Sequence, residues 1–207
     1  MHHSLKDPDF SSFLLEKLMI QVLDNEITPL IYFSKVDKVN INDYLKYIDY
    51  YKSLGIDCYY GNSLALENKK VLEEIFKDKK TILTGQSGAG KSTLLNSLDT
   101  SLNLKTSDIS YSLGRGKHTT RVVELFELFG GKVMDTPGFS ALDFKGVSKE
   151  LIRDSFIEFK DFPCPFKDCN HTKEGECAIK QAVVDGNIMK SRYENYLSFI
   201  GEGNYES

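Results

Sequence analysis

Residues 84–93 read TGQSGAGKST, and Gly85-Gln86-Ser87-Gly88-Ala89-Gly90-Lys91-Ser92 within them satisfies GxxxxGK[ST], with Thr93 following. The apolar run KTILT (80–84) enters this loop and the stretch KSTLLNSL leaves it. Strand, loop and helix in that order form the setting in which the pattern binds phosphate. The glycines let backbone N–H groups approach phosphate oxygens, and the helix N-terminus adds its dipole. Lys91 is expected to reach the β- and γ-phosphates of a nucleotide, and Ser92 to ligate Mg2+. A glycine-rich turn without a ligand is the competing reading, and the flanking elements count against it.

Around the loop, strand-like and helix-like stretches alternate. PLIYF (29–33) and IDCYY (56–60) read as strands. FSSFLLEKLMIQVL, NDYLKYIDYYKSLG (42–55) and LENKKVLEEIF read as helices. In the first helix Phe10, Phe13, Leu14, Leu18 and Val22 share one face, with Asp9 or Ser11 as N-cap. RVVELFELF and KVMDT, joined by Gly130-Gly131, read as a strand pair. This alternation predicts a three-layer P-loop α/β fold on a mainly parallel sheet. After about residue 148 the pattern turns helical around a Cys/His cluster. The expected division is therefore 1–147 for nucleotide binding and 148–207 for a small second domain, which 207 residues can accommodate. The net charge of −4 offers nucleic acid no global attraction, so any RNA contact must be a local patch. No uncharged apolar run approaches the roughly 18–20 residues needed to cross a bilayer. The start, MHHSLKDPDF, has no apolar signal core. A cytoplasmic protein is expected, with neither membrane nor DNA as partner.

A phosphate loop needs a second element for the metal and the γ-phosphate. VMDTPG (133–138) supplies one: Asp135 ends an apolar strand and can hold Mg2+ through water, and Gly138 can turn its N–H toward the γ-phosphate. Between the two lies GRGKHTTR (114–121), which reads as a switch loop that closes a hydroxyl onto Mg2+, or as an ordinary basic surface loop.

The base reader lies upstream. In Ser34-Lys35-Val36-Asp37, at the end of a strand, Asp37 can accept hydrogen bonds from guanine N1–H and the N2 amino group. Adenine lacks both donors, so a carboxylate left unpaired disfavours ATP. Lys35 can lay its methylene stem over the base, and Ser63 in the GNS loop (61–63) is placed to touch guanine O6. In an ordinary GTP-binding domain these elements follow the phosphate loop, whereas here they precede it.

Cys164, Cys169, His171 and Cys177 follow C-x4-C-x-H-x5-C. Three thiolates and an imidazole within fourteen residues match a closed tetrahedral zinc site with no position left for water. Buried thiols or a disulfide are the alternatives. Zinc binding and folding of this short polar segment are expected to be one event. Cys58, far away in IDCYY, reads as a small buried residue. Lys180, Lys190 and Arg192 could meet RNA, although a solvated face is the commoner explanation for such spacing.

The motif order, together with SLKDPDFSSFLLEK, GQSGAGKSTLLN, GRGKHTTR, DTPGFSALDF and the stretch from Cys164 to Leu197, resembles the circularly permuted, ribosome small-subunit-dependent GTPases, the RsgA or YjeQ family. The resemblance runs from Ser4 to about Glu202. It implies a cytoplasmic GTPase that binds the 30S subunit and its 16S rRNA late in maturation, with hydrolysis stimulated by the ribosome and coupled to departure. It also implies Thr120 as the switch-loop Mg2+ ligand, because HTTR resembles the GTTR loops of related GTPases, with Thr119 second. Three departures matter. The chain begins at MHHSLK, where the family carries an OB-fold and then a first strand; the loss of both is expected to bare a sheet edge and favour self-association. Ser34 stands where the family has asparagine, so a weaker brace to the phosphate loop is expected. Phe139 and Gly146 stand where related GTPases put a water-orienting glutamine or a histidine. A guanine-nucleotide-binding module with little turnover is the competing reading. An ATP-using enzyme is disfavoured by Asp37.

Overall fold

The first strand is made of residues with little claim to be one. In the computed structural model, which describes residues 1–63, 69–104, 124–135 and 147–202, His2–Ser4 form strand β1. β2 (Leu30–Ser34) and β3 (Asp57–Gly61) follow in the same sheet, ordered β1-β2-β3 and parallel throughout. β4 (Lys80–Leu83), β5 (Glu124–Leu128) and β6 (Gly131–Asp135) form a second sheet ordered β4-β6-β5. β4 runs parallel to β6, and β5 is antiparallel to it through the Phe129-Gly130 turn.

β1 joins the two sheets. His2 N–H donates to the Thr84 carbonyl at 2.7 Å, His2 bridges Gly85, and the opposite edge of β1 pairs with β2. The strand expected to be missing is therefore present, and the edge expected to be bare is filled. Met1, His2, His3 and Ser4 are all buried. Three residues are too short to show alternation, and histidine has no strong strand preference; backbone pairing on both sides decides the matter.

Two units emerge from the packing, and they do not follow chain order. Met1–Phe10, Leu30–Ile48 and Asp57–Ala141 make one; Ser11–Pro29, Asp49–Ile56 and Leu142–Ser207 make the other. In the first unit, helices α3 (Lys69–Phe76) and α4 (Lys91–Leu98) bury Leu72, Phe76, Leu94, Leu95 and Leu98 against Tyr32, Leu83, Leu128 and Val133 of the strands. Each such side chain contributes roughly 1.5–3 kcal/mol by leaving water. Phe10 sets its ring edge-on to Phe33, Tyr44 and Tyr47 at 5.6, 6.1 and 5.1 Å, which pins the Leu5–Phe10 turn. Tyr44 and Tyr47 belong to helix α2 (Asn42–Ser53).

The second unit is helical. Helix α1 (Ser12–Asp24) is capped by Ser11, whose hydroxyl accepts from Leu14 N–H at 3.2 Å. Its buried face is Leu15, Leu18, Met19 and Ile20, turned from the Phe13–Leu14–Leu18–Val22 stripe expected from spacing. Helices α5 (Lys149–Ser155), α6 (Ala178–Val184) and α7 (Lys190–Glu202) complete the unit around Ile152, Phe156, Phe159, Ile179, Ile188, Tyr196 and Phe199.

Within this core lies a charge network. Arg192 of α7, 2% exposed, donates to Glu16 of α1 and to both oxygens of Glu158, one of them at 3.0 Å. Tyr51 donates to Glu16, and Tyr50 to Glu158 at 3.0 Å. The guanidinium also lies over the Phe156 ring at 4.7 Å. Arg192 is thus no RNA-facing cation: it is consumed by two buried carboxylates. Burial pushes the Glu16 carboxyl up, against the pull of Arg192. Among the described residues no helix is long and apolar enough to cross a membrane.

Candidate nucleotide site and metal centre

Strand register brings four loops to one edge. Leu83 of β4 lies opposite Asp135 of β6, His2 of β1 opposite Gly85, and Ser34 of β2 opposite Gly61 of β3. The phosphate loop, the start of DTPG, the base reader and the GNS loop therefore leave the sheet at its carboxyl end, where open α/β sheets bind ligands.

The phosphate loop is shaped by its neighbour β1. A Cβ on Gly85 would lie 1.9 Å from the His2 carbonyl oxygen, so this glycine is required by the approach of β1. Gly90 caps α4 in a left-handed conformation at φ 101°, which turns the first helical N–H groups into the loop. Lys91 is buried and curls beneath the loop, donating to the Gly85 and Gln86 carbonyls at 3.1 and 3.2 Å. Burial lowers its pKa, and the Asp135 carboxylate pulls it back up. The structure so brings together the lysine and the strand-end carboxylate that the sequence placed 44 positions apart. Ser92 and Thr93 occupy the first turn of α4, half-buried.

The Ser34–Asp37 loop, expected to read the base, is tied to the phosphate loop. The Ser34 hydroxyl lies 2.8 Å from the Ala89 carbonyl and 3.3 Å from that of His3, and its single proton serves one at a time. Lys35, left-handed at φ 59°, donates to the Gly88 carbonyl at 2.9 Å and also reaches the Asp7 carbonyl. The brace expected to be weak is thus doubled by a second donor. Val36 and Asp37 start a 3₁₀ turn, with Asp37 exposed. Ser63 is buried, and its hydroxyl has no partner among the described residues. Thr119, Thr120, Gly138, Phe139 and Gly146 lie outside the described residues, as do Arg115, Lys117 and His118.

In the second unit Cys164, Cys169, His171 and Cys177 converge, with one ligand atom from each all within 4.8 Å of one another. His171 Nδ1 lies 3.5 Å from Cys164 Sγ and 3.4 Å from Cys177 Sγ, and those two sulfurs are 3.7 Å apart. Zinc held tetrahedrally at its usual bond lengths sets S···S near ~3.8 Å and S···N near ~3.5 Å. The donor set fits that ion, and the distances among Cys164, His171 and Cys177 match it. Around it, backbone N–H groups of Ala178 and Ile179 point at the Cys164 sulfur. Tyr193 and Tyr196 donate to the carbonyls of His171 and Asn170 at 2.6 and 2.8 Å. Glu174 accepts from the N–H groups of Asn170 and Thr172 at 2.8 and 2.7 Å. Backbone N–H groups, its own first, hold its carboxyl down at about 2. Cys58 is buried in β3 and is not one of the four.

Sequence reasoning missed three sets of residues. β1 carried no usable signal. Arg192 did: Ile188, Arg192, Tyr196 and Phe199 recur at helical spacing, and that face is buried. Glu174 and the two tyrosines gave no sign, because their partners are backbone groups.

Residues 2–145 match the RsgA GTPase family. The small ribosomal subunit biogenesis GTPase RsgA of Latilactobacillus sakei is 44% identical over 205 residues, and the alignment takes in 96% of this chain and 69% of that protein. The protein of the same name from Bacillus subtilis is 42% identical with the same coverage. Among solved structures, YjeQ from Thermotoga maritima superposes with a TM-score of 0.80 at 31% identity, covering 98% of this chain and 70% of that one. YloQ, described as a circularly permuted GTPase, gives 0.77 at 34% identity, covering 96% and 65%. With the base reader ahead of the phosphate loop, and with this agreement along nearly its whole length, the chain belongs to the RsgA GTPase family.

Proposed function

We propose that the chain is a GTPase of small ribosomal subunit biogenesis, hydrolysing GTP to GDP and phosphate in the cytoplasm while bound to the maturing 30S subunit and its 16S rRNA. The observation that carries this reading is the convergence of Lys91, Asp135 and the Ser34–Asp37 loop on one sheet edge. Lys91 exchanges its two loop carbonyls for β- and γ-phosphate oxygens. The N–H groups from Gly85 to Thr93 cradle the phosphates, and Asp37 reads guanine. Ser92, Asp135 and Thr120 would hold Mg2+, which neutralises charge on the transferring phosphoryl group. Gly138 would face the γ-phosphate. Residues 1–147 carry this chemistry. Residues 148–207, which share their compact unit with Ser11–Pro29 and Asp49–Ile56, would hold structural zinc through Cys164, Cys169, His171 and Cys177, with no coordination position left for catalysis.

Measured GTP hydrolysis with and without purified small subunits tests the reading. Stimulated turnover is expected, together with a fall in kcat of at least about 100-fold in Lys91→Ala, the scale for losing one preorganised charge-stabilising group. Nucleotide binding without turnover under either condition would leave only a binding module.

A further inference from the structure

We propose that Glu174 is a positioning residue for the metal centre: its carboxylate, with two tyrosine hydroxyls, locks the backbone of His171 in the one conformation that aims the imidazole at the thiolates. The inference rests on the reading of Cys164, Cys169, His171 and Cys177 as a zinc site, and gives a role to residues which that reading does not name.

The starting observation is a strained backbone. His171 has φ 56°, in the left-handed region that residues with a side chain rarely occupy. Such a conformation persists only where its surroundings over-determine it. Here all four polar groups of the two peptide units that meet at the His171 Cα are engaged. Before it, the Asn170 carbonyl accepts from Tyr196 at 2.8 Å, and the His171 N–H points at the Cys169 sulfur. After it, the His171 carbonyl accepts from Tyr193 at 2.6 Å, and the Thr172 N–H donates to Glu174 at 2.7 Å. The other Glu174 oxygen accepts from the Asn170 N–H at 2.8 Å. One carboxylate thus grips the residue on either side of the histidine.

The chemistry suits the task. An ionised carboxylate offers two acceptor oxygens and no donor, and its charge-assisted bonds are stronger than neutral ones. Tyr193 and Tyr196 are three apart on α7, so one helix face delivers both hydroxyls, and Tyr196 is fully buried. The Phe159 ring meets the imidazole edge-on at 5.3 Å. None of the bonds from Glu174 or the tyrosines uses the ligand atom Nδ1, which is left facing the Cys164 and Cys177 sulfurs. Folding of the segment around the ion recruits these bonds, so the metal affinity includes them.

Zinc affinity of the whole chain, measured by competition with a chromophoric chelator, tests the proposal. Glu174→Ala should weaken zinc binding by about 10- to 100-fold, the range for partners that orient a ligating histidine. Glu174→Gln keeps one acceptor oxygen and should fall between that variant and the parent chain. Glu176→Ala removes an exposed carboxylate from the same segment and should match the parent. The decisive comparison uses a His171→Ala background, where three thiolates still bind metal. Because Glu174 acts through the histidine, Glu174→Ala should there cost less than about threefold. If Glu174→Ala fails to fold, Tyr193→Phe carries the test: it removes only the hydroxyl on the His171 carbonyl, with an expected loss of about fivefold that also vanishes without the histidine. Unchanged affinity in these variants, or an equal loss on both backgrounds, would overturn the proposal. Tight zinc binding that ignores Glu174 sinks the clamp alone, whereas a parent chain that binds no zinc sinks the metal reading and the clamp with it.

Discussion

Asp37 stands exposed on its turn, while the residues before it are committed: Ser34 to the Ala89 carbonyl and Lys35 to that of Gly88. The loop is positioned through its neighbours and the carboxylate is left exposed, as the proposed reading of guanine requires. Asp37→Asn should therefore leave the fold intact and change only the recognised edge. The amide replaces one acceptor by a donor, which opposes guanine N1–H and N2–H but suits the additional carbonyl of xanthine. Loss of a charge-assisted hydrogen bond predicts GTP binding weaker by about 10- to 100-fold, with affinity for xanthosine triphosphate improved. Competition against a fluorescent guanine nucleotide measures both. Equal losses for the two nucleotides would point to a collapsed loop. The place of Ser34–Asp37 at the end of a strand was legible in the sequence. The second brace from Lys35 was not, because it depends on a left-handed backbone that places Nζ over Gly88.

Strand β1 puts two imidazoles where no water reaches, and this makes the element sensitive to acid. Burial, reinforced by Lys91 and other neighbouring cations, lowers the His2 pKa well below its ordinary value. Burial, with the chain's amino group and Lys91, lowers that of His3 to about 3. Both histidines fold neutral. Between pH 6.5 and those lowered values the unfolded chain binds more protons than the folded one, so stability is complete above 6.5 and falls with pH. Each histidine costs up to about 1.4 kcal/mol per pH unit in that window. Urea unfolding from pH 7.5 to 5.5 should show the loss, and His3→Val should remove part of the slope while keeping a strand-compatible side chain. An identical slope in the variant would mean that carboxylates dominate. The same strand explains Gly85: phosphate approach accounts for glycine at the motif's first position in general, but here the His2 carbonyl occupies the space a Cβ would need.

At the scale of the whole molecule, each unit has its own core, and their stabilities should be separable by metal. A strong chelator would remove the proposed zinc and leave three thiolates and an imidazole crowded without it, and the Cys164–Cys177 segment has little apolar surface of its own. Circular dichroism and tyrosine fluorescence should report partial unfolding on chelation, reversed by added zinc. Guanine nucleotide affinity should change by less than about threefold, because the residues proposed to contact the nucleotide, Lys91, Asp135 and the Ser34–Asp37 loop among them, lie in the other unit. Loss of nucleotide binding in step with the metal would show the two units to be one folding system. The charge network belongs to this scale as well. Arg192 and Glu16 are 176 positions apart, and once buried they stand or fall together, since removing one partner of such a pair typically costs about 3–5 kcal/mol.

What the sequence by itself determined was everything written in local spacing. The phosphate loop between strand and helix, the DTPG strand end, the permuted order of motifs and the Cys164, Cys169, His171 and Cys177 cluster all follow from residue type and distance along the chain. Turn chemistry likewise joined β5 to β6, and helical spacing found most of α1, α2 and α4. Tertiary structure alone decided the rest. It made a strand of Met1-His2-His3-Ser4's neighbourhood, because unpaired backbone on β2 and at Thr84 needed partners. It turned α1 onto Leu15 and Met19, because Glu16 on the same face had to reach a buried arginine from the far end of the chain. It drew Arg192 inward and left Phe166 outward, reversing what their polarity suggests. For β1, α1 and Arg192 the deciding partner was remote in sequence, and only folding brought it within bonding distance.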